Sequence, residues 1–293
     1  MPTRTKEQNA VSTAALAGNN GFSLISNEKL LQLYTSMLKC CRIAERVKTI
    51  LPQRRNLARK YHLATGREAA WVGASIDLLP DDTLAPSQGC PLADFIRGHR
   101  LDRTISSLLG SGVVRKTSGD PLKEASDAAR ENKIKKNGKI VVLFRDVEAA
   151  SIELWNQALG LADADQLPLL FVSYSIGLED LDAQTANKRK VAWPYSFPSI
   201  TVDGSDAVAV YRVATEAITH ARKGNGPTLI DCRAVSFGDD ADLDPILKME
   251  SYLGRKGLFS EESKRHVIAV FNKKLDRAIE SAVSQHRQTR AAK

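Results

Sequence analysis

Four short apolar runs constrain this chain more than any other feature: KIVVLF (139–144), LPLLFV (167–172), ITV (200–202) and TLIDC (228–232). None of the longer ones shows the in–out alternation of a half-exposed strand, so both faces must be covered. Segments of helical periodicity, 147–164 and 207–223, intervene between strands. Strands that alternate with helices in this way argue a parallel sheet covered by helices on both faces.

Further helices are expected upstream. Ser26-Asn27 caps one carrying Leu30, Leu31, Tyr34, Met37, Leu38, Cys41 and Val47 at helical spacing. Others are expected over 66–79 (stopping at Pro80-Asp81-Asp82), 92–109, and 121–136, the last heavily charged through Lys123, Glu124, Asp127, Arg130 and Glu131. Asn137-Gly138 turns that helix into the strand 139–144. An amphipathic helix from Ser260 to about Gln285 closes the chain, with Glu261 and Glu262 favourable in its first turn. This gives a flexible arm over 1–25, one α/β domain over 26–285 and a tail over 286–293.

Several function classes are disfavoured. No apolar run has the length of a membrane span. The net charge of +8 suggests an acidic partner. However, the basic residues are interspersed with acids, and the densest clusters, Lys133-Ile134-Lys135-Lys136 and Lys188-Arg189-Lys190, read as solvated faces rather than a nucleic-acid surface. Cys40, Cys41, Cys90 and Cys232 form no CxxC spacing, which fits reduced thiols in a cytoplasm and argues against structural zinc. Residues 10–16 supply no signal-peptide core. The five histidines are scattered, and GxSxG, Walker and HExxH motifs are absent. Asp239, Asp240, Asp242 and Asp244 read as a solvated acidic loop.

Several stretches carry a family likeness: LLQLYTSMLKCCRIAERV, TGREAAWVGASIDLLPDDT, FIRGHRLDRTISSLLG, DPILKMESYLGRKGLFSEE and, most specific, ITVDGSDAVAVYRVATEAITHARKGNGPTLID. Together they resemble the alpha subunit of the thiamine-diphosphate-dependent 2-oxo acid dehydrogenases, of the pyruvate and branched-chain type. The resemblance implies the thiamine-diphosphate-binding fold and a beta-subunit partner in a two-alpha, two-beta assembly.

In that family the strand resembling VVLF is followed by G-D-G-A, and the one resembling LPLLFV by E-N-N. An Asp and an Asn hold Mg²⁺ there, and the glycines let backbone N–H groups approach the diphosphate. Here Arg145 and Val147 replace the two glycines around Asp146, and a β-branched residue obstructs close phosphate approach. In the alternative register Asp146-Val147-Glu148 replaces G-D-G, and the Asp is lost too. The E-N-N position reads Tyr174-Ser175-Ile176, so the second ligand is missing either way. Asp146 is expected instead to be the N-cap of the following helix. Gln88 and Gly89 replace the family's cofactor-contacting Tyr and Arg, Pro91 replaces a His, and the loop SFGDDADLDPI lacks the family's catalytic His. His62 matches a family His and reads as a packed or hydrogen-bonding residue.

The changes fall on the cofactor contacts while the scaffold stays legible. The expectation is therefore a catalytically degenerate alpha-subunit homologue without catalytic or metal-binding residues. Gln88, Gly89, Arg145, Asp146, Val147 and Ser175 mark vestigial positions. It would act as a homo-oligomer or with a dehydrogenase beta subunit, in the cytoplasm. Thiamine diphosphate and Mg²⁺ are expected only under the alternative, an active subunit that decarboxylates a 2-oxo acid and passes the acyl group to lipoamide.

Overall fold

The structure, a computed structural model, describes residues 25–50, 66–85, 90–109, 120–146, 150–177, 196–235 and 244–291. Among them five strands form one sheet: β1 (Thr83–Ala85), β2 (Val141–Asp146), β3 (Leu169–Gly177), β4 (Ser199–Asp203) and β5 (Thr228–Val235). The order is β1-β2-β3-β5-β4, and every pairing is parallel. The described helices are α1 (Asn27–Ile50), α2 (Glu68–Ser75), α3 (Pro91–Ile96), α4 (Leu101–Leu108), α5 (Pro121–Lys135), α6 (Ile152–Ala164), α7 (Ala207–Arg222), α8 (Pro245–Arg255) and α9 (Glu261–Ala291). This is the expected α/β class, a parallel sheet between helices.

Successive strand residues point to opposite faces, so each apolar run feeds two cores. Val141, Leu143, Leu169, Phe171 and Leu229 pack with α5 and α6. Val142, Phe144, Leu170, Val172 and Ile230 pack beneath α2 and α7. A third core joins the outer sides of α2 and α7 to α1, α4, α8 and α9, with Leu33, Met37, Ile105, Leu253 and Leu275 fully buried. None of the described helices is long and apolar enough to cross a membrane.

Several boundaries differ from the sequence expectations, among them the strand expected over 167–172, which runs on to Gly177 as β3. The helix expected over 92–109 is two, α3 and α4, because Gly98 takes φ +107° between them. The helix expected over 66–79 is confined to 68–75. Asp146 is not a helix N-cap: β2 runs through it, and α6 begins at Ile152 with the Ser151 side chain accepting from the Leu154 N–H. The strand extends because Asp146 lies opposite Tyr174 in the β2–β3 register and is held by a distant arginine. The closing helix continues past Gln285 to Ala291. Two elements were not expected at all, the three-residue β1 and the helix α8.

The charged helix α5 still packs by one face, through Leu122, Ala125 and Ala129, and is capped by Asp120. Its charges pair outward, Lys123 with Asp127 at 2.5 Å and Arg130 with Asp165 at 2.6 Å. Asp244 caps α8 by accepting from Ile246 N–H at 2.7 Å.

Candidate functional site

The carboxyl ends of β2 and β3 meet the amino end of α2, the location where ligands sit in open α/β sheets. Gly66 enters α2 with φ +100°, and Arg67 is the residue preceding its first turn. The Arg67 guanidinium donates to Asp146 Oδ1 at 2.5 Å, with the two side chains 12% and 21% exposed. Its central carbon lies 4.6 Å from the centroid of the Tyr174 ring, a cation–π arrangement. The Tyr174 hydroxyl donates back to the Gly66 carbonyl at 2.7 Å. These contacts form a closed circuit that ties α2 to the ends of β2 and β3. Burial pushes the Tyr174 phenol up, opposed by the adjacent Arg67.

Arg145 reaches towards Asp120, with Nη2 4.0 Å from Oδ1. The crevice between Arg67, Arg145, Asp146, Cys90 and Tyr174 encloses about 30 Å³, room for about one water molecule. Burial pushes the Cys90 thiol well above its ordinary range, which removes it as a nucleophile near neutral pH.

Beside the circuit sits Glu68, 3% exposed, whose Oε2 accepts the Gly66 N–H at 2.7 Å. Burial raises its pKa above the ordinary carboxylate value of 4.5, and hydrogen bonds from its own N–H and that of Gly66 only partly offset this. Above 4.5 the folded state therefore holds a proton that the unfolded chain has released, so this residue makes stability fall as pH rises. In Glu68→Gln the loss should disappear. Urea midpoints of the variant and wild type should separate in the variant's favour as pH rises above 4.5, and parallel profiles would contradict the assignment.

Of the positions singled out in the sequence, the structure places Arg145 and Asp146 at the end of β2 and Ser175 on the neighbouring β3, opposite Arg233. Gln88, Gly89, Val147, His62 and the acidic residues Asp239, Asp240 and Asp242 lie outside the described residues. Among the described residues no three His, Cys, Asp or Glu side chains gather as a metal ion would require. Arg67 and Glu68 were missed by sequence reasoning, and Tyr174 was read only as a replacement at the E-N-N position. The signal for Arg67 was present in TGREA, a cation next to a glycine at the start of an expected helix.

A family model described as dehydrogenase E1 component matches residues 122–239. The alpha subunit of acetoin:2,6-dichlorophenolindophenol oxidoreductase from Bacillus subtilis is 27% identical over 312 aligned positions, which cover 92% of each chain. The chain is dehydrogenase E1 alpha-subunit-like. The alpha-like chain also matches the pyruvate dehydrogenase E1 component subunit alpha of Staphylococcus aureus at 25% identity, over 90% of this chain and 81% of the relative. For the chloroplastic alpha-3 subunit of Arabidopsis thaliana the figures are 26%, 90% and 72%.

Breaking the Arg67–Asp146 pair should leave a largely buried guanidinium without its counter-charge. Asp146→Ala is expected to cost about 2–3 kcal/mol, discounted from the 3–5 kcal/mol of a fully buried pair for its residual exposure. Arg67→Gln/Asp146→Asn, which removes both charges, should recover part of the loss. Chemical denaturation of the three proteins checks this, and an Asp146→Ala midpoint equal to wild type would contradict it.

Proposed function

We propose that this alpha-like chain is a catalytically degenerate E1 alpha homologue that works by assembly rather than by chemistry. The observation that carries this is the Arg67–Asp146 pair. At the strand end where the resembling family presents carboxylate to Mg²⁺, an internal guanidinium takes the carboxylate. A dication there would have to displace Arg67 from Asp146 or sit against its positive charge, and Mg²⁺ demands several closely spaced oxygens. These residues do not fit the metal-diphosphate group.

The partner half of the proposal rests on two supports. The relatives are named as alpha subunits, which belong to multi-subunit enzymes. Leu154 and Leu161 lie two turns apart on α6 and are 40% and 36% exposed, an apolar stripe suited to a partner surface. Sedimentation velocity at micromolar concentration, alone and with a cognate beta subunit, tests the proposal. Self-association or a stable complex, weakened by Leu154→Glu/Leu161→Glu, is the expected result, and a monomer under both conditions would overturn it.

One feature favours the competing reading, an active subunit completed by its partner. Arg67 Nε is buried without a hydrogen-bond partner and would suit an anion. Thiamine-diphosphate-dependent turnover of a 2-oxo acid by the reconstituted complex would establish that reading.

A further inference from the structure

We propose that the alpha-like chain binds a small, multiply charged phosphate-class anion at the opposite end of the sheet from the family's cofactor position. A cavity of about 270 Å³ opens where the carboxyl ends of α5 and α7 meet the chain entering β2 and β3. The length of β2, six residues at about 3.3 Å each, puts it roughly 20 Å from the Arg67–Asp146 crevice. The roomier of these two spaces is thus at the wrong end of the strands for the family's chemistry.

The lining is strongly basic: Lys133, Lys136, Lys139, Arg222 and Lys223, with no acidic and no aromatic side chain among the residues that form it. Two of the five positive charges are matched nearby, Lys139 by Asp81 at 3.3 Å and Arg222 by Asp82. The carboxyl ends of the two helices contribute about half a negative charge each. Five positive charges less two carboxylates and about one unit of helix dipole leave a surplus near +2. Lys133, Lys136 and Lys223 form no ion pair with any described residue, so dipole compensation alone leaves the set over-supplied.

The cavity is also structured beyond its surface lysines. The Lys133 ammonium is anchored to the rim by the Asp165 and Gln166 carbonyls at 2.5 and 3.2 Å. Arg222 is fixed by its bonds to Asp82 and the Gly138 carbonyl. On the wall, Asn132 Nδ2 is a buried donor with no hydrogen-bond partner. Such a donor is costly unless something accepts from it, and a phosphate oxygen is a suitable acceptor. Lys136 and Gln166, the two non-glycine residues with positive φ among the described residues, both lie on this rim. The concave shape and the lack of an aromatic platform select a compact anion over a nucleic acid strand.

Isothermal titration of the full chain with inorganic pyrophosphate, at fixed ionic strength, tests the proposal. Lys136→Gln/Lys223→Gln alters exposed side chains outside these ion pairs, so its unliganded unfolding midpoint should match wild type. The expected result is saturable binding that weakens about tenfold or more in this variant, a loss of about 1.4 kcal/mol per decade. Lys256→Gln, remote on the surface, and Arg67→Gln should leave binding unchanged. No saturable binding would overturn the proposal, as would equal weakening by Lys256→Gln. Loss through Arg67→Gln alone would move the site to the strand ends and overturn it too. Tighter binding of heparin than of pyrophosphate, unaffected by the Lys136/Lys223 variant, would mean a diffuse polyanion surface instead.

Discussion

Replacing Asp82 with alanine is expected to cost about 3–5 kcal/mol and to lower the thermal midpoint by roughly 6–10 °C, at about 2 °C per kcal/mol for a chain of this size. Its side chain is completely buried. Oδ2 accepts the Leu79 N–H at 2.8 Å and Oδ1 the Ile140 N–H at 3.1 Å, and both oxygens receive the Arg222 guanidinium. One carboxylate thereby joins the end of the α2 segment, the start of β2 and the end of α7. Alanine would leave two backbone donors and a guanidinium without their acceptor, and each buried orphan donor costs about 1–3 kcal/mol. Asp82→Asn keeps the shape and one acceptor oxygen, so it should fall between alanine and wild type. A drop below about 2 °C for Asp82→Ala would show that the junction relaxes without this clamp.

Gly73→Val is expected to be the second severe change, at about 3 kcal/mol. A Cβ at Gly73 would lie 2.8 Å from Val210 Cγ1 and 2.9 Å from the Tyr211 backbone nitrogen. A side-chain methyl can rotate away, but a backbone nitrogen in the middle of α7 cannot, so the helices must part. Gly254, inside α8, provides the opposite case, since nothing lies within 4 Å of where its Cβ would point. Gly254→Ala should therefore stabilise by about 0.5–1 kcal/mol through helix propensity. Denaturant midpoints of the two variants should move in opposite directions. A Gly73→Val protein as stable as wild type would contradict the close packing of α2 on α7.

The sheet was legible because strands buried on both faces leave continuous apolar runs, and 139–144 and 167–172 are such runs. The two expected cores then follow from the pleat, as Phe171 and Leu170 show by falling into different clusters. What stayed hidden was non-local. Nothing near Asp146 announces that β2 continues through two charged residues, because the stabilising partner, Arg67, is 79 positions away. Local capping chemistry was a fair expectation for Asp146, and tertiary pairing overrode it. The break at Gly98 was masked by apolar spacing that continues across it, and β1 is too short to carry a period.

At the site, the replacement of family glycines by Arg145 could be read from the sequence alone. Its counterpart could not, because Arg67 was read as one position in a helix rather than as a charge. Glu68 escaped notice for the same reason: a carboxylate in the first turn of a helix is ordinary until the fold buries it.

If the strand-end carboxylate is committed to Arg67, no place is left for a metal-bound diphosphate. Thermal unfolding with and without Mg²⁺ and thiamine diphosphate, for the chain alone and in a demonstrated complex with a cognate beta subunit, tests this most directly. A competent site held at about a hundred times its Kd would gain about 2.7 kcal/mol, a shift of several degrees. No shift is expected in either setting. A reproducible shift that requires both Mg²⁺ and thiamine diphosphate would contradict it.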